Sequence, residues 1–221
     1  HLSQKEPFAV GGRRACYFHP DDPARCIKVA LSDKLPEQLR SEDPWWKRLR
    51  PVSYYDENAL DIRIYARLEA GLGANVGVHF PRVYGLVETD LGPGLDTDLI
   101  RDADGRVSLS GKEYTMLNGR SEASENAIQQ LSDFLVQHLL LFRDPFPHNI
   151  AMQEQVNGSL RVVIIDGLSR KVFLSPTFRK SSEKRILRKW SALKKASSER
   201  STTGDMESNP NQTACSPPAE L

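Results

Sequence analysis

The sequence holds no uninterrupted apolar run of the ~18 residues that a membrane-spanning helix requires. Its N-terminus also lacks the charged, then apolar, then small-residue order of a secretion signal. No membrane span is expected, and the cytoplasm is the expected compartment. The chain opens on His1 rather than Met, so its native start is expected to be missing or processed. Cysteine is scarce: Cys16, Cys26 and Cys215 are too few for a disulfide framework and suit a reducing compartment. A surplus of charge is absent as well, because 30 basic residues face 29 acidic ones over 221 residues. That balance removes the bulk field of a nucleic-acid binder. His19, His79 and His138 have no cysteine or acid at metal-ligand spacing, which argues against zinc, and no internal repeat is visible. The length suffices for one sizeable core or two small lobes.

The N-terminal third reads as short strands. Phe8–Val10, Ala15–Phe18 and Cys26–Leu31 are apolar runs separated by Gly11-Gly12 and by the turn-forming stretch from His19 to Arg25. Cys16 and Cys26 then fall on neighbouring strands as buried thiols. Residues 32–51 carry three prolines and many charges and read as a loop, with Trp45 and Trp46 pinning it to the body. A helix follows from an Asp56 N-cap, with Leu60, Ile64 and Leu68 at four-residue spacing and Gly71 and Gly73 at its end. Val83–Val87 and Leu95–Ile100 are further strands around a turn at Gly92-Pro-Gly94, and Asp102–Gly105 reads as a hinge. A long amphipathic helix from about Ser124, with Ile128, Leu131, Leu135 and Leu139 on one face, is expected to stop at Phe142–Pro145. Ile150–Met152 and Arg161–Ile165 form a hairpin through Asn157-Gly158. A basic helix follows Ser175-Pro176, burying Ile186, Leu187, Trp190 and Leu193. Residues 196–221 have almost nothing to bury and are expected to be disordered.

The densest chemistry lies between Phe142 and Gly167. Arg143-Asp144-Pro-Phe-Pro-His-Asn149 sets an acid five residues before an amide, and the apolar run Arg161–Ile165 closes on Asp166-Gly167. This stretch resembles the kinase catalytic loop H-R-D-x-x-x-x-N, with Phe142 in place of histidine, followed by the strand-end aspartate that presents a metal. Phosphoryl transfer needs a carboxylate near the acceptor hydroxyl, oxygen ligands for Mg²⁺ and donors on the phosphates. The resemblance therefore implies Asp144 as the catalytic carboxylate, Asn149 and Asp166 as Mg²⁺ ligands, and ATP as the cofactor. Without it, the same residues read as a helix end, a turn asparagine and a strand-end Asp-Gly turn.

The kinase layout also gives Lys28, in the third strand, a role on the phosphates and a carboxylate partner from the next helix. Glu57 and Asp61 both face the right way. The kinase-like spacing of seven residues from acid to leucine, here Leu68, selects Asp61. Gly11, Gly12 and Arg13 or Arg14 lie where kinases place a glycine-rich loop, without completing G-x-G-x-x-G. An ordinary strand turn explains them equally well. The expected fold is α+β: a bilobal protein-kinase-like domain over residues 7–195. Its N-lobe is an antiparallel sheet (about 7–101) and its C-lobe is short and mainly helical (about 106–195).

Two stretches, Gly12-Arg-Arg-Ala-Cys-Tyr-Phe-His-Pro-Asp-Asp-Pro-Ala-Arg-Cys-Ile-Lys-Val29 and Pro81-Arg-Val-Tyr-Gly-Leu-Val-Glu-Thr-Asp90, resemble the YrbL family of the protein-kinase-like superfamily. The likeness runs from about Pro7 to Lys195. It implies a bacterial cytoplasmic protein linked by name to the magnesium-responsive PhoP regulatory network, and it implies no substrate.

The first functional reading is a small ATP- and Mg²⁺-dependent kinase with an unknown protein or small-molecule acceptor. The second is a pseudokinase-like regulatory or nucleotide-binding module, favoured by the incomplete glycine loop and the missing Ala-Pro-Glu element. A third would use the basic residues Lys180, Lys184, Arg185, Arg188, Lys189, Lys194 and Lys195 as an adaptor surface. A solvated helix face is the simpler account of these, and nucleic acid is not an expected partner.

Overall fold

Alternation of apolar and polar residues builds the first half of the chain into one antiparallel sheet. Strands β1 (Ala9–Val10), β2 (Arg14–Phe18), β3 (Arg25–Ala30), β4 (Val83–Thr89) and β5 (Gly92–Asp98) lie in the order β1-β2-β3-β5-β4. This is a computed structural model, and it describes residues 1–188. Ile27 and Val29 of β3 are buried against Leu2, with Tyr17 and Val87 packed beside them. Because side chains alternate along a strand, Lys28 points to the other face, toward the rest of the molecule. The turn between β4 and β5 falls at Asp90–Leu91, not at Gly92-Pro-Gly94. Gly92, at φ 100°, closes it. Gly94 lies inside β5 because Ile27 of the neighbouring strand fills the space a Cβ would need.

The insertion read as a loop contains two short helices, α1 (Pro36–Glu42) and α2 (Trp45–Arg48), the first begun by a proline where no N–H is missed. Trp45 and Trp46 do not pin it to the body. They are 70% and 58% exposed and meet each other edge to face at 6.0 Å. Polar contacts tie the insertion together instead. The Tyr55 hydroxyl lies 3.0 Å from both Asp43 Oδ2 and the Lys47 carbonyl, and Arg48 Nε donates to the Asp43 carbonyl at 2.6 Å. Trp46→Ala should therefore change the unfolding free energy by less than ~0.5 kcal/mol in a urea titration.

Helix α3 (Glu57–Leu72) is capped by Asp56, which accepts from the Ala59 N–H at 2.9 Å, and ends on Gly73 at φ 55°. Its buried stripe of Ile64, Tyr65, Leu68 and Leu72 belongs to the main core. The short α4 (Val76–His79) follows. The second half comprises β6 (Leu109–Ser110), α5 (Gly111–Asn118), α6 (Glu122–Gln137), β7 (Leu140–Phe142), β8 (Ile150–Glu154), β9 (Leu160–Ile164), β10 (Leu168–Phe173) and a helix α7 at 179–188. Leu131 and Leu135 of α6, Phe142, Ile150, Val162, Ile164 and Ile186 complete the core that holds α3.

Helix α6 ends at Gln137, not at Phe142–Pro145. Leu139 takes a left-handed φ of 50° and breaks the helix, and Leu140–Phe142 continue as strand β7 paired with β10. All three residues of β7 are buried, which a helix with a single apolar face would not achieve. The restriction before Pro145 is met by the loop rather than by a helix terminus.

The β8–β9 hairpin forms as expected, with Gly158 at φ 77°. Asp102–Gly105 is a turn closed by the Gly105 N–H on the Asp102 carbonyl at 2.9 Å, and it is sewn to β8 through Asp102 Oδ1 and the Glu154 N–H. In α7, Ile186 is buried but Leu187 is half-exposed, so the expected apolar stripe is narrower. Trp190, Leu193 and the tail 196–221 lie outside the described residues. Among the described residues, no helix is long and apolar enough to cross a membrane.

Candidate functional site

Strand register brings the two sequence-predicted loops together. Phe142 of β7 pairs with Leu168 of β10, and Ile150 of β8 pairs with Ile164 of β9. The loop Arg143–Asn149 leaves the first pair and enters the second, while Ile165–Gly167 runs the opposite way between the same two pairs. Asp144 must therefore lie beside Gly167, and Asn149 beside Ile165 and Asp166.

The hydrogen bonds follow from this. The Asp144 N–H donates to the Gly167 carbonyl at 3.1 Å, and the Asn149 carbonyl accepts from the N–H groups of Ile165 at 2.9 Å and Asp166 at 3.3 Å. Asn149 Nδ2 donates to the Asp144 carbonyl at 2.8 Å. Gly167, at φ 80°, makes this closeness possible. A Cβ there would lie 2.6 Å from Asn149 Nδ2 and 2.9 Å from the Asp144 carbonyl oxygen. Its N–H donates to Asp166 Oδ1 at 2.7 Å.

The Asp144 carboxylate is one-third exposed and accepts from Arg143 Nε at 2.7 Å. Asp166 has a side chain 52% exposed and points toward the sheet, where Arg14 Nη2 lies 3.1 Å from its Oδ2. Desolvation is the largest influence on the Asp166 carboxyl and pushes it up. The combined charges of Arg14 and Lys28 and the Gly167 N–H outweigh it and hold the group below the usual carboxylate range.

Lys28 crosses from β3 to this loop. Its Nζ donates to the Ile165 carbonyl at 2.7 Å, one residue before Asp166. It does not take the expected partner on α3. Asp61 is instead bound by Arg14, whose Nη1 lies 2.6 Å from Asp61 Oδ2. The reason is geometric: Arg14 opens β2 opposite Ala30 and reaches α3 with a longer side chain, which suits the short reach of aspartate. Arg14 is 6% exposed and also contacts Asn58 Oδ1 at 3.2 Å and Glu57 Oε2 at 3.7 Å. Burial works against its charge, but the three carboxylates more than offset this and strengthen its hold on the proton.

Gly11, Gly12 and Arg13 are not gathered into the site. Gly11 closes the β1–β2 turn with its N–H on the Arg14 carbonyl at 2.8 Å, nothing lies within 4 Å of a Cβ at Gly12, and Arg13 Nη1 lies 2.9 Å from Glu57 Oε1. Sequence reasoning missed Asn58, which is buried and ties α3 to the sheet by donating to the Lys28 and Pro93 carbonyls, both at 3.2 Å. Its signal was its position one helical turn before Asp61. Cys16 and Cys26 are free and do not pair; burial raises both thiols, Cys26 to about 12. Cys26 is buried as expected, whereas Cys16, opposite Lys28 on β2, is only partly buried.

The donors fit a hard cation. Asn149 spends its amide nitrogen on Asp144, which leaves its side-chain oxygen without a donor among the described residues, and Asp166 is a half-exposed carboxylate beside it. No group of three or more His, Cys, Asp or Glu gathers as a metal site among the described residues. Two protein oxygens with the remaining positions left to water and phosphate is how Mg²⁺ is commonly held.

A five-stranded sheet with a lysine reaching the Asp166 loop, one helix against it, and a paired Asp-x₄-Asn and Asp-Gly unit define a kinase-like protein with an α+β fold. The chain belongs to the family described as PhoP regulatory network protein YrbL, which it matches over residues 1–198. The uncharacterized YrbL proteins of Escherichia coli (strain K12) and Shigella flexneri are each 26% identical over 178 residues, covering 78% of this chain and 75% of their own. Among solved structures, the chain is similar to the Mycobacterium tuberculosis PknI kinase domain, at 15% identity and a TM-score of 0.46, over 85% of this chain and 71% of that one. It is also similar to the bifunctional kinase-methyltransferase WbdD, at 11% identity and a TM-score of 0.44, over 82% of this chain and 34% of that one.

Proposed function

We propose that this protein is a cytoplasmic ATP- and Mg²⁺-dependent phosphotransferase of the YrbL type, acting within the regulatory setting that gives the family its name. One observation carries the reading: Asp144, Asn149 and the Ile165–Gly167 turn that bears Asp166 are drawn into a single unit by four backbone and amide hydrogen bonds. In this reading Asp144 orients an acceptor hydroxyl and receives its proton. Asn149 and Asp166 hold Mg²⁺, and Lys28 offers its ammonium to the phosphates. Bound Mg²⁺ would neutralise charge that builds on the transferred group. The acceptor is a protein or small molecule with a free hydroxyl.

Specific contacts favour a second reading, a nucleotide-binding regulatory module without turnover. Asp166 is bound by Arg14, and Gly11 and Gly12 form a plain hairpin turn with no charged side chain of their own turn left for phosphates.

The deciding measurement is thermal unfolding with ATP, with and without Mg²⁺, for the native chain and Asp166→Asn. A ligand present at 100 times its Kd stabilises by about 2.7 kcal/mol, so the native chain should gain several degrees only when both are present. The variant should gain none. An equal gain in the variant would remove Asp166 from the metal site.

A further inference from the structure

Lys28 is the cation expected to pair with α3, but Arg14 takes that place and also reaches the loop that carries Asp166. Its nitrogens face Asp61 at 2.6 Å, Asp166 at 3.1 Å and Glu57 at 3.7 Å. Glu57 already has Arg13 at 2.9 Å, so Asp61 and Asp166 are the two carboxylates that depend on Arg14 most directly. These two bonds are unequal. The Asp61 side chain is 15% exposed, sits on a helix anchored in the core and makes the shorter bond. The Asp166 side chain is 52% exposed, sits on a loop and makes the longer one. A planar guanidinium can serve both at once through separate nitrogens, whereas a lysine ammonium is a single point charge.

We propose that Arg14 is a latch on Asp166: it holds the carboxylate from the α3 side and releases it, staying on Asp61, when a divalent cation arrives. The proposal rests on the reading of Asp166 as a metal ligand. Arg14 and the cation then compete for one carboxylate, and whatever strengthens the Arg14–Asp166 bond weakens cation binding to the same degree. Asp61 sets the balance, because it is the second place where Arg14 can rest. Arg14 is in this sense a positioning residue that links the place of α3 to the state of the metal site.

The test uses Mn²⁺ alone as the probe, titrated into the full chain, with free Mn²⁺ read from its paramagnetic resonance signal. Arg14→Lys keeps the charge but not the fork. It should bind Mn²⁺ about three-fold more tightly, the scale of a lost partly exposed ion pair. Asp61→Asn leaves Arg14 with Asp166 as its main partner and should bind Mn²⁺ about three-fold more weakly. Glu57→Gln removes the same charge from the same helix while both short Arg14 bonds remain, so its change should be clearly smaller. An Arg14→Lys protein that binds as the native chain does or more weakly would overturn the latch. So would equal losses in Asp61→Asn and Glu57→Gln, which would mean through-space charge alone. Asp166→Asn separates the two levels: if it abolishes binding while the other variants behave as the native chain, the latch fails and the metal site stands. If it leaves native affinity intact, both fall. Circular dichroism of each variant confirms that a folded protein is being titrated, and should Arg14→Lys not fold, the Asp61→Asn and Glu57→Gln pair decides the matter.

Discussion

Gly167→Ala is expected to destabilise the protein by about 3 kcal/mol and to abolish any Mg²⁺-dependent effect of ATP. Two separate costs combine at this position. At φ 80° an L side chain is strained, which alone costs on the order of 1 kcal/mol or more. The added Cβ would then stand 2.6 Å from Asn149 Nδ2, 2.9 Å from the Asp144 carbonyl oxygen and 3.1 Å from Phe142 Cε2. None of these can retreat freely. The Asn149 amide is bonded to Asp144, the Asp144 carbonyl is backbone, and Phe142 is 3% exposed in the core. Overpacking of this kind adds about 1–3 kcal/mol. Gly158 supplies the control, because it has nearly the same φ, 77°, with nothing within 4 Å of a Cβ. Gly158→Ala should show only the backbone cost, about 1 kcal/mol. At about 2–4 °C per kcal/mol for a chain of this size, the melting temperatures should fall by roughly 10 °C and 3 °C. Equal losses at the two sites would mean that Gly167 matters for its φ alone and that the Asp144–Asn149 loop is not packed against it.

The same residues show how far the geometry of this candidate site is legible in the sequence. Asn149 and Asp166 flank β8 and β9, whose pairing is set by an Asn-Gly hairpin and by fully buried runs, so there local pattern and final geometry coincide. The β7–β10 pair that seats Asp144 beside Gly167 is not visible in the sequence, where Leu140–Phe142 continue a helical spacing. The strands of the sheet are legible from apolar runs and turn residues, but Gly92-Pro-Gly94 reads as the β4–β5 turn because glycine and proline mark turns, although here they lie inside β5. Helix α6 was overextended because Leu139 continues the four-residue spacing of Leu131 and Leu135, and spacing cannot reveal a left-handed φ. The Trp45-Trp46 pair misled because large aromatics are usually buried, whereas these lie on a short helix held by polar contacts. In the sequence Arg14 reads only as charge beside a glycine turn. Nothing in a single strand shows that its first side chain reaches a helix 47 residues further on.

That reach makes Arg14 the position where the second large effect is expected. Arg14→Met should cost about 3 kcal/mol of unfolding free energy, the lower end for breaking a buried ion pair from one side. The lower end applies because Asp61, at 15% exposed, is left facing an apolar side chain, while Asp166, half in water, contributes little by itself. Lys28→Met removes one bond to a backbone carbonyl and should cost only about 1–2 kcal/mol. The reverse order would show that Lys28, not Arg14, anchors α3. Replacing Asp61 by Asn in the Arg14→Met background should recover part of the loss, since the stranded charge is gone. The pH dependence has a definite sign. The Asp166 carboxyl lies below its unfolded value of about 3.9, so the stability gained from its partners is complete above that pH and is lost as pH falls through the lower folded value. The gap between native chain and Arg14→Met, measured by urea titration, should therefore be constant from pH 6 to 7 on the scale of about 0.3 kcal/mol and shrink below about pH 4. A gap that widened in acid would mean that Arg14 does not hold Asp166 in its charged form.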